Sequence, residues 1–164
     1  MGYIQSGKDA GAKVEVGGER QGTEGYFIRP TIFTNTSPDM KIVQEEIFGP
    51  VGVVIKFKDE EDVIRQANET VYGLAAAVFT QNLNRAIKTA HRLKAGTAWV
   101  NCVNQLNSSV PFGGFKQSGI GRELGEYALH KWVIFSSSSV LVDWGCLTSY
   151  TAVKAVHINL DIKL

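Results

Sequence analysis

The chain has 164 residues, 17 basic and 16 acidic side chains, a formal charge of +1 and 44% hydrophobic residues, ordinary figures for one globular domain with a sizeable core. No run of Lys or Arg forms a basic patch, so nucleic acid is not an expected partner. No apolar stretch reaches the roughly 20 residues of a membrane helix, and no basic-then-apolar leader opens the chain. Cys102 and Cys146 are the only cysteines and imply neither a disulfide framework nor a zinc cluster. His91, His130 and His157 lack ligand spacing. A soluble, reducing, cytoplasmic setting is expected.

In chain order, "AKVEVGG" (Ala12–Gly18) alternates and stops at a glycine pair, predicting a short strand and turn. "GYFIRPTIFT" (Gly25–Thr34) is β-branched and aromatic, and Pro30 predicts an edge or bulged strand. "VGVVIKF" (Val51–Phe57) predicts a buried strand. Asp59 can cap a helix over Glu60–Asn68, with acids in its first turn and Val63, Ile64 and Ala67 on its buried face. "YGLAAAVFT" (Tyr72–Thr80) predicts the next strand. "NLNRAIKTAHRL" (Asn82–Leu93) then puts Leu83, Ala86, Ile87, Ala90 and Leu93 on one helical stripe. "GTAWVNC" (Gly96–Cys102) is a further strand. Strands alternating with helices predict an α/β fold with a mostly parallel sheet and flanking helices. Ligands gather where such strands end, which directs attention to the loop after Cys102.

That loop, "NQLNSSVPFGGFKQSGIGRELGEYAL" (Asn104–Leu129), carries five glycines. Gly119-Ile120-Gly121 superficially suggests a phosphate loop, but it does not leave a strand directly and its third glycine is misplaced. "SGKDAG" near the start also lacks phosphate-loop spacing. The plainer expectation is a backbone that turns tightly, with glycines supplying positive φ.

"EEIFGPV", "YGLAAAVFT", "GTAWVNC" and "PFGGFKQSGIGRELGEYAL", with "SGKDAGAKVEVGG" and "GYFIRPTIF", together resemble the NAD(P)-dependent aldehyde dehydrogenases. The resemblance runs from Met1 to Leu129 and resumes at Tyr150. It rests on the order and spacing of the motifs, since none is decisive alone. It implies a partial catalytic domain, the last third of such an enzyme. The cofactor domain, nucleophilic cysteine and general-base glutamate would precede Met1, which resembles an internal methionine. Cys102 matches a structural cysteine beside the pocket, and Cys146 lies in a segment foreign to the family. The cofactor would be NAD or NADP, the substrate a small aldehyde, and a mitochondrial location is the alternative to the cytoplasm. The isolated chain would be inactive.

The resemblance also assigns roles. Glu46 would hydrogen-bond the nicotinamide ribose hydroxyls, since a carboxylate has only acceptors and a vicinal diol offers two donors. Phe48 would help fix the nicotinamide end, because positioning is itself catalytic. From residue type alone, Glu45 and Glu46 read more readily as solvated turn charges; the surrounding Glu45–Val51 motif reverses that for Glu46, and Glu45 is expected to be structural. Asn104, Leu106 and Phe112 match the substrate funnel. Many relatives carry an aromatic where this chain has Leu106, and Phe112 is as readable as core packing. Glu123 matches a glutamate on a proton path, its alternative being a surface or capping acid.

The twenty residues from His130 to Ser149 interrupt the resemblance. The expectation is translated intron sequence retained in frame. The runner-up is a β-hairpin, "WVIF" and "VLVDW" joined by Ser136–Ser139, although tetraserine is an unusual turn. The longer connection costs on the order of 2 kcal/mol in loop closure, whereas an apolar run such as Trp132–Phe135 would be a sticky surface if unpaired. "TAVKAVHINL" (Thr151–Leu160) alternates and resembles the family's terminal strand, which makes a homo-oligomer with a neighbouring subunit. A strand packing on its own chain is the alternative. Two further readings stay open for the whole chain: a non-catalytic interaction module that pairs with full-length subunits, and a gene-model artefact.

Overall fold

The computed structural model describes residues 1–129 and 154–158. Cys146, His130 and the expected insert or hairpin at His130–Ser149 lie outside the described residues. The chain divides into two compact units, Met1–Asp59 and Glu60–Leu164.

The first unit opens with a helix that the sequence reading missed, α1 (Gly2–Asp9), followed by β1 (Lys13–Val16), β2 (Thr31–Thr34), a one-turn helix α2 (Lys41–Gln44) and β3 (Val51–Val53). The sheet order is β1-β2-β3, with β1 antiparallel and β2–β3 parallel. Pro30 precedes β2 instead of interrupting it; of the two expectations, edge or bulged, the edge is not met, since β2 is the central strand, while its pairing with β1 carries a register shift between Val14 and Val16. Tyr26 and Phe27 are exposed. The core joins Ile4, Ala12, Phe33 and Ile42, with Val14, Val51 and Val53 packed against it. Gly7 shows why α1 sits so close, because a Cβ there would lie 2.9 Å from Ile42 and 3.0 Å from Phe33. The expected buried strand Val51–Phe57 is a second correction. Only three residues are β, because the pairing with β2 ends at Val53, and Val54, Ile55 and Phe57 are exposed.

The second unit contains α3 (Glu60–Glu69), β4 (Tyr72–Gly73), β5 (Ala75–Val78), α4 (Leu83–Arg92), β6 (Thr97–Val100), β7 (Phe115–Lys116) and β8 (Ala155–Ile158); residues 125–129 are helical. The predicted strand Tyr72–Thr80 divides at Leu74. Its first part pairs antiparallel with β7, and its second joins the parallel sheet β5-β6-β8. Asp59 immediately precedes α3, whose first turn holds Glu60, Glu61 and Asp62. Ile64 is buried, but Ala67 is exposed. Asn82 caps α4, its side-chain oxygen accepting from the Arg85 N–H at 3.0 Å. Ala86 and Ala90 pack on Ala98 and Val100, while Leu83, in the first turn, is exposed. Asn68 joins the two helix ends, donating to the Arg92 carbonyl at 2.9 Å and accepting from the Lys94 N–H at 2.7 Å.

All four residues of β6 are buried, as expected of a parallel strand covered on both faces. On one side it pairs Ala75↔Thr97 through Val78↔Val100. On the other it pairs Thr97↔Ala155 through Val100↔Ile158. The terminal strand therefore packs on its own chain. Lys154 reinforces the seam, donating to the carbonyls of Ala90 and Leu93 at the end of α4.

Candidate functional site

Two loops carry the residues singled out from sequence, one in each unit. In the first unit, α2 ends when Glu45 turns extended (φ −106°). The Glu45 carboxylate accepts from the Tyr3 hydroxyl at 2.7 Å and lies 3.8 Å from the Lys41 ammonium. The same ammonium sits 5.0 Å from the centre of the Tyr3 ring. Glu45 thus ties α2 to α1. Glu46, one residue on, is exposed. Phe48 is 91% exposed on a tight turn closed by Gly49 N–H donating to the Ile47 carbonyl at 2.9 Å. Pro50 then accepts from the Thr31 N–H and starts β3 beside β2. The arrangement presents one carboxylate and one aromatic face outward from a loop whose other residues are anchored.

In the second unit, the functional loop begins where β6 ends. Asn101 adopts a left-handed turn (φ 55°) and exchanges two side-chain bonds with Thr80, which joins the ends of β5 and β6. Cys102 is buried. Asn104, also left-handed (φ 56°), and Leu106 are exposed. The Trp99 indole N–H donates to the Gln105 carbonyl at 2.8 Å, pinning the loop to the strand it leaves. Asn107 accepts from the Ser109 N–H through its side chain, a local turn of the kind asparagine favours.

Further on, Phe112 and Glu123 exchange backbone hydrogen bonds of 2.7 and 2.8 Å. The segment between them folds into a cavity of about 370 Å³ lined by Phe112, Gly114, Ser118, Ile120, Arg122 and Glu123, among others. Phe112 is half-buried and the Glu123 side chain exposed. Asn104 and Leu106 are not part of this cavity.

The glycines of this loop serve two purposes. Gly119, Gly121 and Gly125 have positive φ, as expected. Gly113, with Gly96 before it, exists for close approach. A Cβ on Gly96 would lie 1.8 Å from the Gly113 carbonyl oxygen, and one on Gly113 2.4 Å from that of Gly121.

Arg122 escaped the sequence reading. Its guanidinium donates to the carbonyls of Gly114 (2.9 Å) and Gly121 (2.7 Å) and lies 5.1 Å from the centre of the Phe115 ring. Burial lowers its pKa from the usual arginine value. An arginine followed by a glutamate inside a glycine-rich loop carries no periodicity that would single it out. Among the described residues, no group of three or more His, Cys, Asp or Glu could hold a metal ion, and no helix is long and apolar enough to cross a membrane.

A sequence profile described as "Aldehyde dehydrogenase family" matches residues 1–137. An aldehyde dehydrogenase of Agaricus bisporus is 64% identical over 164 residues, covering 100% of this chain and 29% of that protein. Retinaldehyde dehydrogenase 3 of Rattus norvegicus is 51% identical over 98% of this chain and 28% of its own length. The solved NAD+ complex of the Bacillus cereus aldehyde dehydrogenase superposes with a TM-score of 0.76 at 57% identity, covering 78% of this chain and 26% of that one. The chain therefore spans less than a third of the relatives it matches.

Proposed function

Because this chain belongs to the aldehyde dehydrogenase family, we propose that it is the C-terminal portion of an NAD(P)-dependent enzyme that oxidises an aldehyde to a carboxylic acid. The observation that carries the reading is the family match over residues 1–137 in a chain spanning 29% of a 64% identical relative. In this reading the nucleophile and general base belong to the rest of the enzyme, and the chain alone does not turn over. Cys102 is buried, unlike a reactive thiolate, which needs access and a positive or hydrogen-bonded setting.

The exposed Glu46 carboxylate and the Phe48 ring suit a nicotinamide riboside. Glu46 accepts from the two ribose hydroxyls, and the Phe48 face limits movement of the ring end. The bound cofactor supplies the hydride acceptor. Asn104, Leu106 and Phe112 form one wall of the aldehyde path, where an apolar contact discriminates by about 1–3 kcal/mol per methylene-sized difference. Glu123 is an accessory proton relay.

The reading extends to assembly and to the atypical segment. β8 is the last strand of the β5-β6-β8 order, and its outer edge is where a second copy would add to make a homo-oligomer. His130–Ser149 is retained intron sequence, a reading that rests on the break in motif order after Leu129 and its return at Tyr150. Transcripts that mostly carry these codons would refute it. The location is cytoplasmic, with the mitochondrion the alternative.

The experiment is replacement of the matching segment of the Agaricus bisporus enzyme by this chain, with and without residues 130–149. Aldehyde-dependent reduction of NAD+ or NADP+ is expected from the chimera lacking them, and none from the 164-residue chain. A folded but inactive chimera, or turnover by the isolated chain, overturns the reading.

A further inference from the structure

The strand β6 alternates its side chains between two faces. Ala98 and Val100 pack on Ala86 and Ala90 of α4, so Trp99 projects from the opposite face. It is only 6% exposed there. In register beside it stand Ala77 of β5 and His157 of β8, and its ring centre lies 6.4 Å from that of His157. A buried indole needs an acceptor, because its nitrogen can only donate. Trp99 finds that acceptor outside the sheet, in the Gln105 carbonyl at 2.8 Å.

The Gln105 carbonyl belongs to the planar peptide unit that continues into Leu106. Fixing its direction therefore fixes the backbone from which Leu106 starts. Asn104, on the other side of Gln105, is left-handed (φ 56°), a conformation that persists in residues other than glycine where the surroundings hold it. At the near end of the same loop, Asn101 is clasped to Thr80. Between these two anchors lie Cys102, Val103 and Asn104, and Cys102 is buried. Leu106 itself is 57% exposed. Its place is set by the backbone more than by packing around its side chain.

We propose that Trp99 is a positioning residue for aldehyde selectivity: through the Gln105 carbonyl, its indole N–H holds Leu106 where that side chain distinguishes aldehydes by size. The proposal rests on the reading that Asn104 and Leu106 form a wall of the aldehyde path. An apolar wall separates substrates by shape only while its position is fixed, since a loose one accommodates long and short chains alike. Glu46 and Phe48 belong to the other unit, so the KM for the nicotinamide cofactor is not expected to depend on Trp99.

The test uses the active chimera with the Agaricus bisporus enzyme, carrying Trp99 or Trp99→Phe, which keeps an aromatic ring and removes the N–H. The ratio of kcat/KM for hexanal to that for propanal should move toward one by about threefold to tenfold, with the cofactor KM unchanged. Tyr3→Phe, which removes one hydrogen bond from the first unit, should leave the ratio where it is. Leu106→Ala should also flatten the ratio. With Leu106→Ala in place, Trp99→Phe should change it no further, because it acts through that side chain. A purely structural loss lowers activity alike toward both aldehydes, and a ratio that stays fixed in Trp99→Phe overturns the proposal. So do an equal change in Tyr3→Phe and additive effects of the Trp99 and Leu106 substitutions. A second measurement needs no turnover. In the full 164-residue chain, the indole N–H signal that Trp99→Phe removes from the NMR spectrum should exchange with solvent about tenfold more slowly than free tryptophan. Exchange at the free rate overturns the proposal as well. A folded chimera that is inactive with Trp99 intact removes the enzymatic reading and this role with it, whereas an active chimera whose ratio ignores Trp99→Phe removes this role alone.

Discussion

Asn101 and Thr80 clasp the C-terminal ends of two parallel strands: the Thr80 N–H donates to the Asn101 side-chain oxygen at 2.8 Å, and the Asn101 amide donates back to the Thr80 carbonyl at 3.0 Å. Asn101 does this from a left-handed conformation (φ 55°) that asparagine tolerates better than most residues. Asn101→Ala loses both bonds and keeps the strained backbone, for an expected loss of about 2 kcal/mol. Asn101→Gly relieves the backbone and should lose less. Urea unfolding of the three proteins orders them, and equal midpoints would refute the clasp.

Gly96 abuts the glycine-rich loop so closely that a methyl group cannot fit, with 1.8 Å to the Gly113 carbonyl oxygen. Both partners are backbone, so neither can rotate away. Gly96→Ala is expected to cost 3 kcal/mol or about that, and to open the cavity beneath Arg122. Gly119→Ala introduces no steric contact within 4 Å and only a φ penalty, so thermal unfolding should show a smaller loss.

Glu45 and Glu46 are adjacent in sequence and opposite in role. Tyr3→Phe removes the hydroxyl that donates to Glu45 and should lower stability by about 0.5–1 kcal/mol, with little effect on catalysis by the chimeric enzyme. Glu46→Gln, at an exposed site, should leave stability intact and lower the chimera's turnover. Steady-state kinetics beside unfolding curves give the comparison, and unchanged kinetics in Glu46→Gln would remove the ribose assignment.

Lys154 carries a pH signature. Burial lowers its pKa from the lysine value of 10.5, so the folded state binds fewer protons than the unfolded one between the lowered pKa and 10.5. Stability therefore rises with pH across that window. Lys116, lowered first by burial and then by Lys94, acts in the same direction. Lys154→Met should flatten part of this alkaline rise in denaturant unfolding. It should also reduce exchange protection at Ala155–Ile158, because the carbonyls of Ala90 and Leu93 lose their donor. A mutant with the wild-type pH profile would show that Lys154 does not anchor the strand.

The strong local patterns were legible. The stripe of Ala86, Ala90 and Leu93 and the strand Gly96–Cys102 follow from a 3.6-residue period and a β-rich apolar stretch. These are properties of neighbouring residues, and α4 and β6 lie where they predict. α1 and α2 were missed because they are short and their burial comes from contacts with each other and with Phe33 of β2 rather than from a sustained period. Leu83 and Ala67 belong to apolar stripes yet lie exposed, since periodicity marks the side a helix could bury and not how far the sheet beneath it extends.

From sequence alone came the α/β character, the family resemblance and the list of residues worth watching, because each depends on local spacing or on motif order. Tertiary structure decided the rest. It tied Glu45 to Tyr3 and left Glu46 exposed, and it brought Phe112 and Glu123 to one cavity without Asn104 or Leu106. It set Val16 opposite Ile32 through a bulge and laid β8 on a strand more than fifty residues away in the chain. The physical reason is the same in each case. Pairing, register and burial are set by groups distant in sequence, and an alternating apolar segment carries no record of which partner will cover it.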